Sequence, residues 1–232
     1  MIMIEHTHVA GFEPAIRGMR NSWDSWEKSD SGYCQGRSKH CDGCWLKPDD
    51  DYAPCYFGSD AKGKQYVIGP NDRELMKKLI KGGSEHRKFL RMIVVWCDID
   101  APLYWWKQFD TYKVGTVANS CSTMHTITKK PFDISDFSCE AGNAKTLSDF
   151  GSVIDILNGY RDLYLETKDE AWWETIIQLL PESYNQKRTV CLNYEVLYNI
   201  YHQRKGHKLE EWHEFCKFIE NLPYIEEFLK KE

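Results

Sequence analysis

The sequence lacks any excess of basic residues: 30 Lys and Arg stand against 35 Asp and Glu in 232 residues, a formal net charge of −5. Neutralising a phosphate backbone requires clustered cations, so a general nucleic-acid coat protein is not expected, whereas small anionic ligands fit. Also missing is any run approaching the ~20 apolar residues of a membrane span. Between Met1 and Gly11, Glu5, His6 and His8 stand where a signal peptide has its apolar core. No membrane partner and a cytoplasmic location are therefore expected. Internal repeats, low-complexity tracts and an obvious linker are absent as well, so one domain over 1–232 is expected. What is present, 42% hydrophobic and 14% aromatic residues, suits a compact globular chain.

Nine cysteines are many for a reducing compartment, where structural disulfides explain them poorly. Cys97, Cys191 and Cys216 lie in apolar or amphipathic runs and read as small buried hydrophobes. Cys34, His40, Cys41, Cys44 and Cys55 fall within 22 residues. Cys41-x-x-Cys44 has the knuckle spacing of a tetrahedral zinc, with Cys34 and Cys55 as outer ligands and His40 as a substitute. Such a metal would hold together an insert poor in apolar residues. Unliganded thiols are the alternative. A catalytic zinc is disfavoured, because four protein ligands close the coordination shell.

The first 70 residues are rich in Gly, Asp, Ser and Pro, with Met1–Ile4 and Gln65–Ile68 suited to edge strands and the remainder irregular. Asn71 then caps a helix, with Glu74 in capping-box position, Leu75, Leu79 and Ile80 as its stripe and Gly82-Gly83 as its stop. Arg91–Cys97 reads as a central strand, and Ala101-Pro102 opens a helix through Leu103, Trp106 and Phe109. After a polar loop from Thr126 to Asn143, Leu147, Phe150, Ile154, Leu157, Tyr160 and Tyr164 mark a long core helix. A short helix over 171–180 ends at Pro181. Lys187–Leu192 reads as a strand, and Tyr194–Gln203 and Leu209–Ile219 as helices.

Chemistry concentrates between His86 and His125. Lys107 and Lys113 suit phosphates, Gln108 and Asn119 suit an amide edge, and Trp105 and Trp106 offer faces for a flat ring. A well-packed aromatic helix with a solvated charged side explains the same residues equally well. Further on, Asn193, Asn199, Arg204 and His207 share no single helical stripe; read alone, they are caps and a surface Arg.

The order of these residues resembles the flavin-dependent thymidylate synthases, tetrameric enzymes that methylate deoxyuridine monophosphate with methylene-tetrahydrofolate, FAD and NADPH. In that family a His leads into a strand, Ala-Pro opens a helix ending in Arg-Gln and Arg-His-Arg, and a Ser-x-Asn-Glu-x-Ser-x-Arg-Tyr turn follows. Here His86, Ala101-Pro102, Lys107-Gln108 and Thr111-Tyr112-Lys113 stand in those places. With one insertion, Asn119, Ser120, Ser122, Met124 and His125 follow. Leu180-Pro181, Asn193, Asn199 and Arg204 are spaced like the family's Leu-Pro, its flavin-side asparagines and its nucleotide arginine. The resemblance covers about His86 to Trp212.

It implies an α+β fold, an antiparallel sheet packed with several helices, that self-associates as a homotetramer; the irregular Cys-rich stretch is expected as an N-terminal insert in that fold. It also implies one-carbon transfer to a pyrimidine deoxynucleotide using FAD and folate. Ser122 and Arg204 are the expected catalytic residues, and Lys107, Gln108, Ser122 and Arg204 the substrate-binding ones. His86, Lys113, Asn119, Asn193 and Asn199 are expected at the cofactor. The departures are Thr111 and Lys113 for arginines, Ser120 for the signature Glu, Met124 for the signature Arg, and Ile177 for an Arg before Leu-Pro. A Lys does not restore a bidentate clamp. Three lost charge-assisted bonds at roughly 1.5–3 kcal/mol each would cost about three to six orders of magnitude in affinity without compensation. The competing expectation is therefore a catalytically silent relative that binds a nucleotide or a partner. A third places a recognition module in the Cys-rich half. Cys121 as a thiolate nucleophile is disfavoured, for want of a base partner.

Overall fold

A computed structural model describes residues 2–33, 66–139 and 143–229. The elements are β1 (Met3–Ala10), α1 (Phe12–Arg20), β2 (Gly32–Tyr33), β3 (Tyr66–Val67), α2 (Pro70–Lys81), β4 (Val94–Pro102), α3 (Leu103–Phe109) and β5 (Val117–Ser120). They continue as α4 (Thr123–Thr126), α5 (Ala144–Thr167), α6 (Glu170–Leu179), β6 (Asn185–Asn193), α7 (Tyr194–Arg204), α8 (Glu210–Glu220) and α9 (Glu226–Leu229). A four-stranded antiparallel sheet in the order β1-β4-β6-β5 forms the centre, and β2 and β3 make a separate pair. Cys34, Cys41, Cys44 and Cys55, with His40, lie outside the described residues.

β4 is the spine because its residues alternate. Val95, Cys97, Ile99 and Ala101 are buried on one face, while Trp96, Asp98 and Asp100 point away, opposite Cys191, Thr189 and Lys187 of β6. Its N-terminal edge differs from the expectation: Lys88–Met92 is a 3-10 turn, the strand starts at Val94, and it runs through Ala101-Pro102 before α3 begins. The inner face joins Ala15, Ile16, Trp105, Trp106, Phe109, Leu197, Trp212 and Phe215 in the main core. Burial drives the Cys97 thiol up to about 12 and the Cys216 thiol up to about 11, as inert core thiols require.

The first 70 residues are less irregular than expected, since α1 lies among them. Gly11, Pro14 and Gly18 disguise it, yet Phe12, Ala15, Ile16 and Met19 form one buried stripe, and Pro14 sits in the first turn, where its missing N–H costs nothing. Gly11 has φ +101°, and a Cβ there would lie 2.0 Å from the Met92 carbonyl oxygen. Gly11→Ala is expected to cost at least about 1–3 kcal/mol, a fall in Tm of roughly 2–12 °C by thermal melt; an unchanged Tm would contradict this packing.

The α2 cap also differs. Gly69 precedes Pro70, and the Asp30 carboxylate accepts the Asn71 and Asp72 N–H groups at 2.9 and 3.1 Å, so Asn71 is not the cap. Glu74 instead pairs with Lys78 at 2.7 Å one turn on. The expected polar loop contains a capping box between Asp133 and Asp136 and buries Phe132 and Phe137. These join Ile127, Ile154, Leu157 and Ile176 in a second, smaller cluster. α5 is thus no helix of the main core: it buries Ile154 and Leu157, while Leu147 and Ile156 are 42% and 52% exposed.

Candidate functional site

α3 and α7 belong to distant stretches of chain, yet their ends meet. Gln108 lies near the end of α3, and Arg204 closes α7. The Gln108 Oε1 accepts from Arg204 Nη1 at 3.3 Å and from the Trp212 indole N–H at 2.9 Å. Arg204 Nε donates to Tyr112 Oη at 2.8 Å, and the Tyr112 hydroxyl donates in turn to Gln203 Oε1 at 3.0 Å. The guanidinium lies 4.8 Å from the Trp212 ring centroid and 5.6 Å from that of Tyr112. The Gln108 carbonyl is consumed by these bonds. Among the described residues no bond is formed by its amide NH2 or by Arg204 Nη2, so the polar atoms left over are donors.

The first turns of α7 carry a second group. Asn193 caps the helix, its Oδ1 accepting the Val196 N–H at 3.1 Å. Its amide also abuts Gly115: a Cβ at Gly115, whose φ is +82°, would lie 2.7 Å from Asn193 Nδ2. Asn199 Oδ1 accepts from Arg87 Nη2 at 3.3 Å, while Arg87 Nε donates to Glu195 at 2.9 and 3.1 Å and the guanidinium lies 4.5 Å from the Tyr198 ring centroid. Arg87 links Asn199 to its sequence neighbour His86. His86 is exposed and lines a hollow of about 510 Å³ with Met19, Trp23, Phe89 and Met92.

The remaining expected residues are dispersed. Lys107 is exposed and ion-paired with Glu182. Lys113 lines a hollow of about 180 Å³ with Phe109, Asp110, Tyr112, Thr116 and Ala118. Asn119 sits opposite Thr189 on β5 and is exposed. Ser122 precedes α4, and its carbonyl accepts the Thr126 hydroxyl at 2.7 Å. No hydrogen bond, ion pair or ring contact joins Ser122 to Arg204 among the described residues. Cys121 is exposed, with the Thr126 hydroxyl 3.7 Å from its sulfur, which is no base. At the departure positions, the Thr111 hydroxyl donates to the main-chain carbonyl of Gln108 at 2.7 Å, Ser120 lies opposite Arg188 on β6, Met124 is exposed, and Ile177 packs into the second cluster.

Sequence reasoning missed Arg87, Glu195 and Trp212. An opposite-charge pair 108 residues apart has no local signature, and an indole at a buried helix position looks like any core residue until its N–H finds a partner.

No protein-family model matches the sequence, and no curated protein matches it. Solved structures do. The flavin-dependent thymidylate synthase ThyX from Helicobacter pylori, complexed with FAD and dUMP, matches at a TM-score of 0.64 and 17% identity, over 98% of this chain and 96% of that one. Another structure of that enzyme with FAD and dUMP matches at 0.65 and 18% identity over 100% of both chains. A UMP/dUMP methylase, PolB from Streptomyces cacaoi bound with 5-Br UMP, matches at 0.50 and 11% identity over 65% of this chain and 76% of that one. The helices and antiparallel sheet described here thus form the fold found in flavin-dependent thymidylate synthases.

Proposed function

We propose that this chain binds a pyrimidine nucleotide at Gln108 and Arg204 and transfers a one-carbon unit to it with flavin and folate. The carrying observation is the polarity of the Gln108–Arg204 edge: its carbonyl is already paired, so it offers N–H donors only. Such an edge suits the carbonyl oxygens of a uracil and opposes the 4-amino group of a cytosine, whose donor would be left unpaired. The neighbouring structures with bound dUMP or 5-Br UMP support the ligand class.

The chain's residues suit a flavin as well. The 510 Å³ hollow at His86 has the size of a cofactor site, with flat and apolar walls from Trp23, Phe89 and Met92. His86, which lines that hollow, would hold the ring side, with Asn199, which does not line it, and Asn193, Lys113 and Asn119 supporting the cofactor elsewhere. Bound flavin supplies the redox and one-carbon chemistry, while the protein orients the rings and polarises the pyrimidine. Within one chain no bond joins Ser122 to Arg204 among the described residues, and the hollow beside Tyr112 is smaller than the ~300 Å³ at which ligand pockets begin. Both facts support a homo-oligomer in which a second copy completes the cleft.

Calorimetric titration tests the reading. dUMP is expected to bind at least tenfold more tightly than dCMP. Arg204→Ala should weaken dUMP by roughly 10–150-fold, the equivalent of about 1.5–3 kcal/mol for a charged hydrogen bond. Equal affinity for the two nucleotides would sink the proposal. The silent-relative reading draws on Met124, which is exposed and cationless where the family carries its signature Arg. A colourless preparation that ignores added FAD but binds dUMP would favour it.

A further inference from the structure

The loop between α7 and α8 carries a titratable side chain that the proposed chemistry does not use. The His207 backbone N–H donates to the Arg204 carbonyl at 2.9 Å, and its ring Nδ1 accepts the Leu209 N–H at 3.1 Å. Leu209 is the cap residue of α8, and its carbonyl accepts the Trp212 N–H at 3.2 Å. The Trp212 ring centroid lies 6.2 Å from the imidazole, and its indole N–H holds the Gln108 carbonyl. An Nδ1 that accepts belongs to the neutral ring with its proton on Nε2; adding a second proton turns that acceptor into a donor facing the Leu209 donor.

We propose that His207 is a positioning residue for the Gln108–Arg204 site: its neutral ring pins the first turn of α8 and hence Trp212, and protonation in acid unlatches them. The site's ligand rests on the nucleotide reading above; the latch does not. The charged groups facing His207 are Arg204 from α7, Lys208 in the loop, and Glu211 and His213 from α8. Burial first, then Arg204, push its value below the ordinary 6.5, with His213 and Lys208 adding to the effect and Glu211 opposing it. Because the folded value is depressed, the contribution of the neutral ring is complete above 6.5 and is lost as pH falls through the folded value.

The test uses the full chain and two variants. His207→Asn offers an acceptor that does not titrate, and His207→Phe offers none. Amide hydrogen exchange over 209–212, corrected for intrinsic rates, is followed from about pH 8 to pH 5, with dUMP titrations at each pH. The wild type should lose protection several-fold in acid, His207→Asn should stay flat, and His207→Phe should be unprotected throughout. Should either variant fail to fold, the ring nitrogens of the wild type decide by NMR, where Nδ1 must be the unprotonated one at neutral pH. Protection that does not change with pH in the wild type, an equal acid loss in His207→Asn, or a protonated Nδ1 at neutral pH would overturn the proposal. If protection behaves as stated while dUMP binds at no pH, the latch stands and the nucleotide reading falls.

Discussion

An Asp72→Ala chain is expected to lose about 3–5 kcal/mol of stability, the cost of stranding a buried charge. Asp72 is 0% exposed, and Arg20, 5% exposed, donates from Nε to its Oδ1 at 2.6 Å. The other oxygen accepts the Ser29 and Ser31 hydroxyls, each at 2.6 Å. Among the described residues, removing the carboxylate leaves the guanidinium with only the Ser25 carbonyl at 3.2 Å and the Ser25 hydroxyl at 3.5 Å. It also frees the segment that carries Asp30 over the start of α2. Asp72→Asn keeps an acceptor for Arg20 and should cost about 1–3 kcal/mol. Urea unfolding measures both. A shift in midpoint with unchanged slope is expected, and a loss below about 1 kcal/mol for the Ala variant would show that Arg20 finds water instead.

Trp212→Ala should be comparably damaging, at about 3–5 kcal/mol, and should act on the site as well as on the core. The indole lies within an aromatic cluster, tilted against Trp105 at 4.9 Å and edge-on to Phe215 at 6.0 Å between centroids, and it is fully buried. Trp212→Phe separates the two roles. It keeps most of the packing but removes the N–H that holds Gln108, so stability should fall by less than half as much while dUMP affinity drops by roughly five- to tenfold, about 1 kcal/mol for one hydrogen bond. Chemical denaturation and calorimetry read the two quantities independently. If Trp212→Phe binds dUMP as the wild type does, the orientation of Gln108 does not matter to the ligand.

Much of the architecture was legible because local pattern encodes it. A continuous β-branched run marks the first part of β4, Lys187–Leu192 marks most of β6, and the apolar spacing of Tyr194–Gln203 and Leu209–Ile219 marks α7 and α8 to within a residue or two. α1 escaped notice because glycine and proline usually punctuate structure. Here Pro14 occupies a first turn and Gly11 an unusual backbone angle, both of which depend on what packs against them. α5 misled in the opposite sense, since a periodic stripe announces a helix without saying which surface covers it. The resemblance to the flavin-dependent enzymes supplied expected site residues that spacing alone would leave as caps and surface charges.

From the sequence alone came most of the longer helices, the two central strands and the residue types available for chemistry, because helix and strand periodicity are properties of neighbouring residues. Only the tertiary structure decided that Asp30 caps a helix 41 residues away and that Arg87 clasps Asn199 112 residues on. It also decided that Gln108 spends its side-chain carbonyl on Arg204 and Trp212, 96 and 104 residues distant, which leaves its amide N–H groups without a partner among the described residues. Such pairings are chosen by which faces the core brings together, since burial rewards any apolar stripe, whereas a hydrogen bond forms only where two particular atoms arrive within about 3 Å of each other.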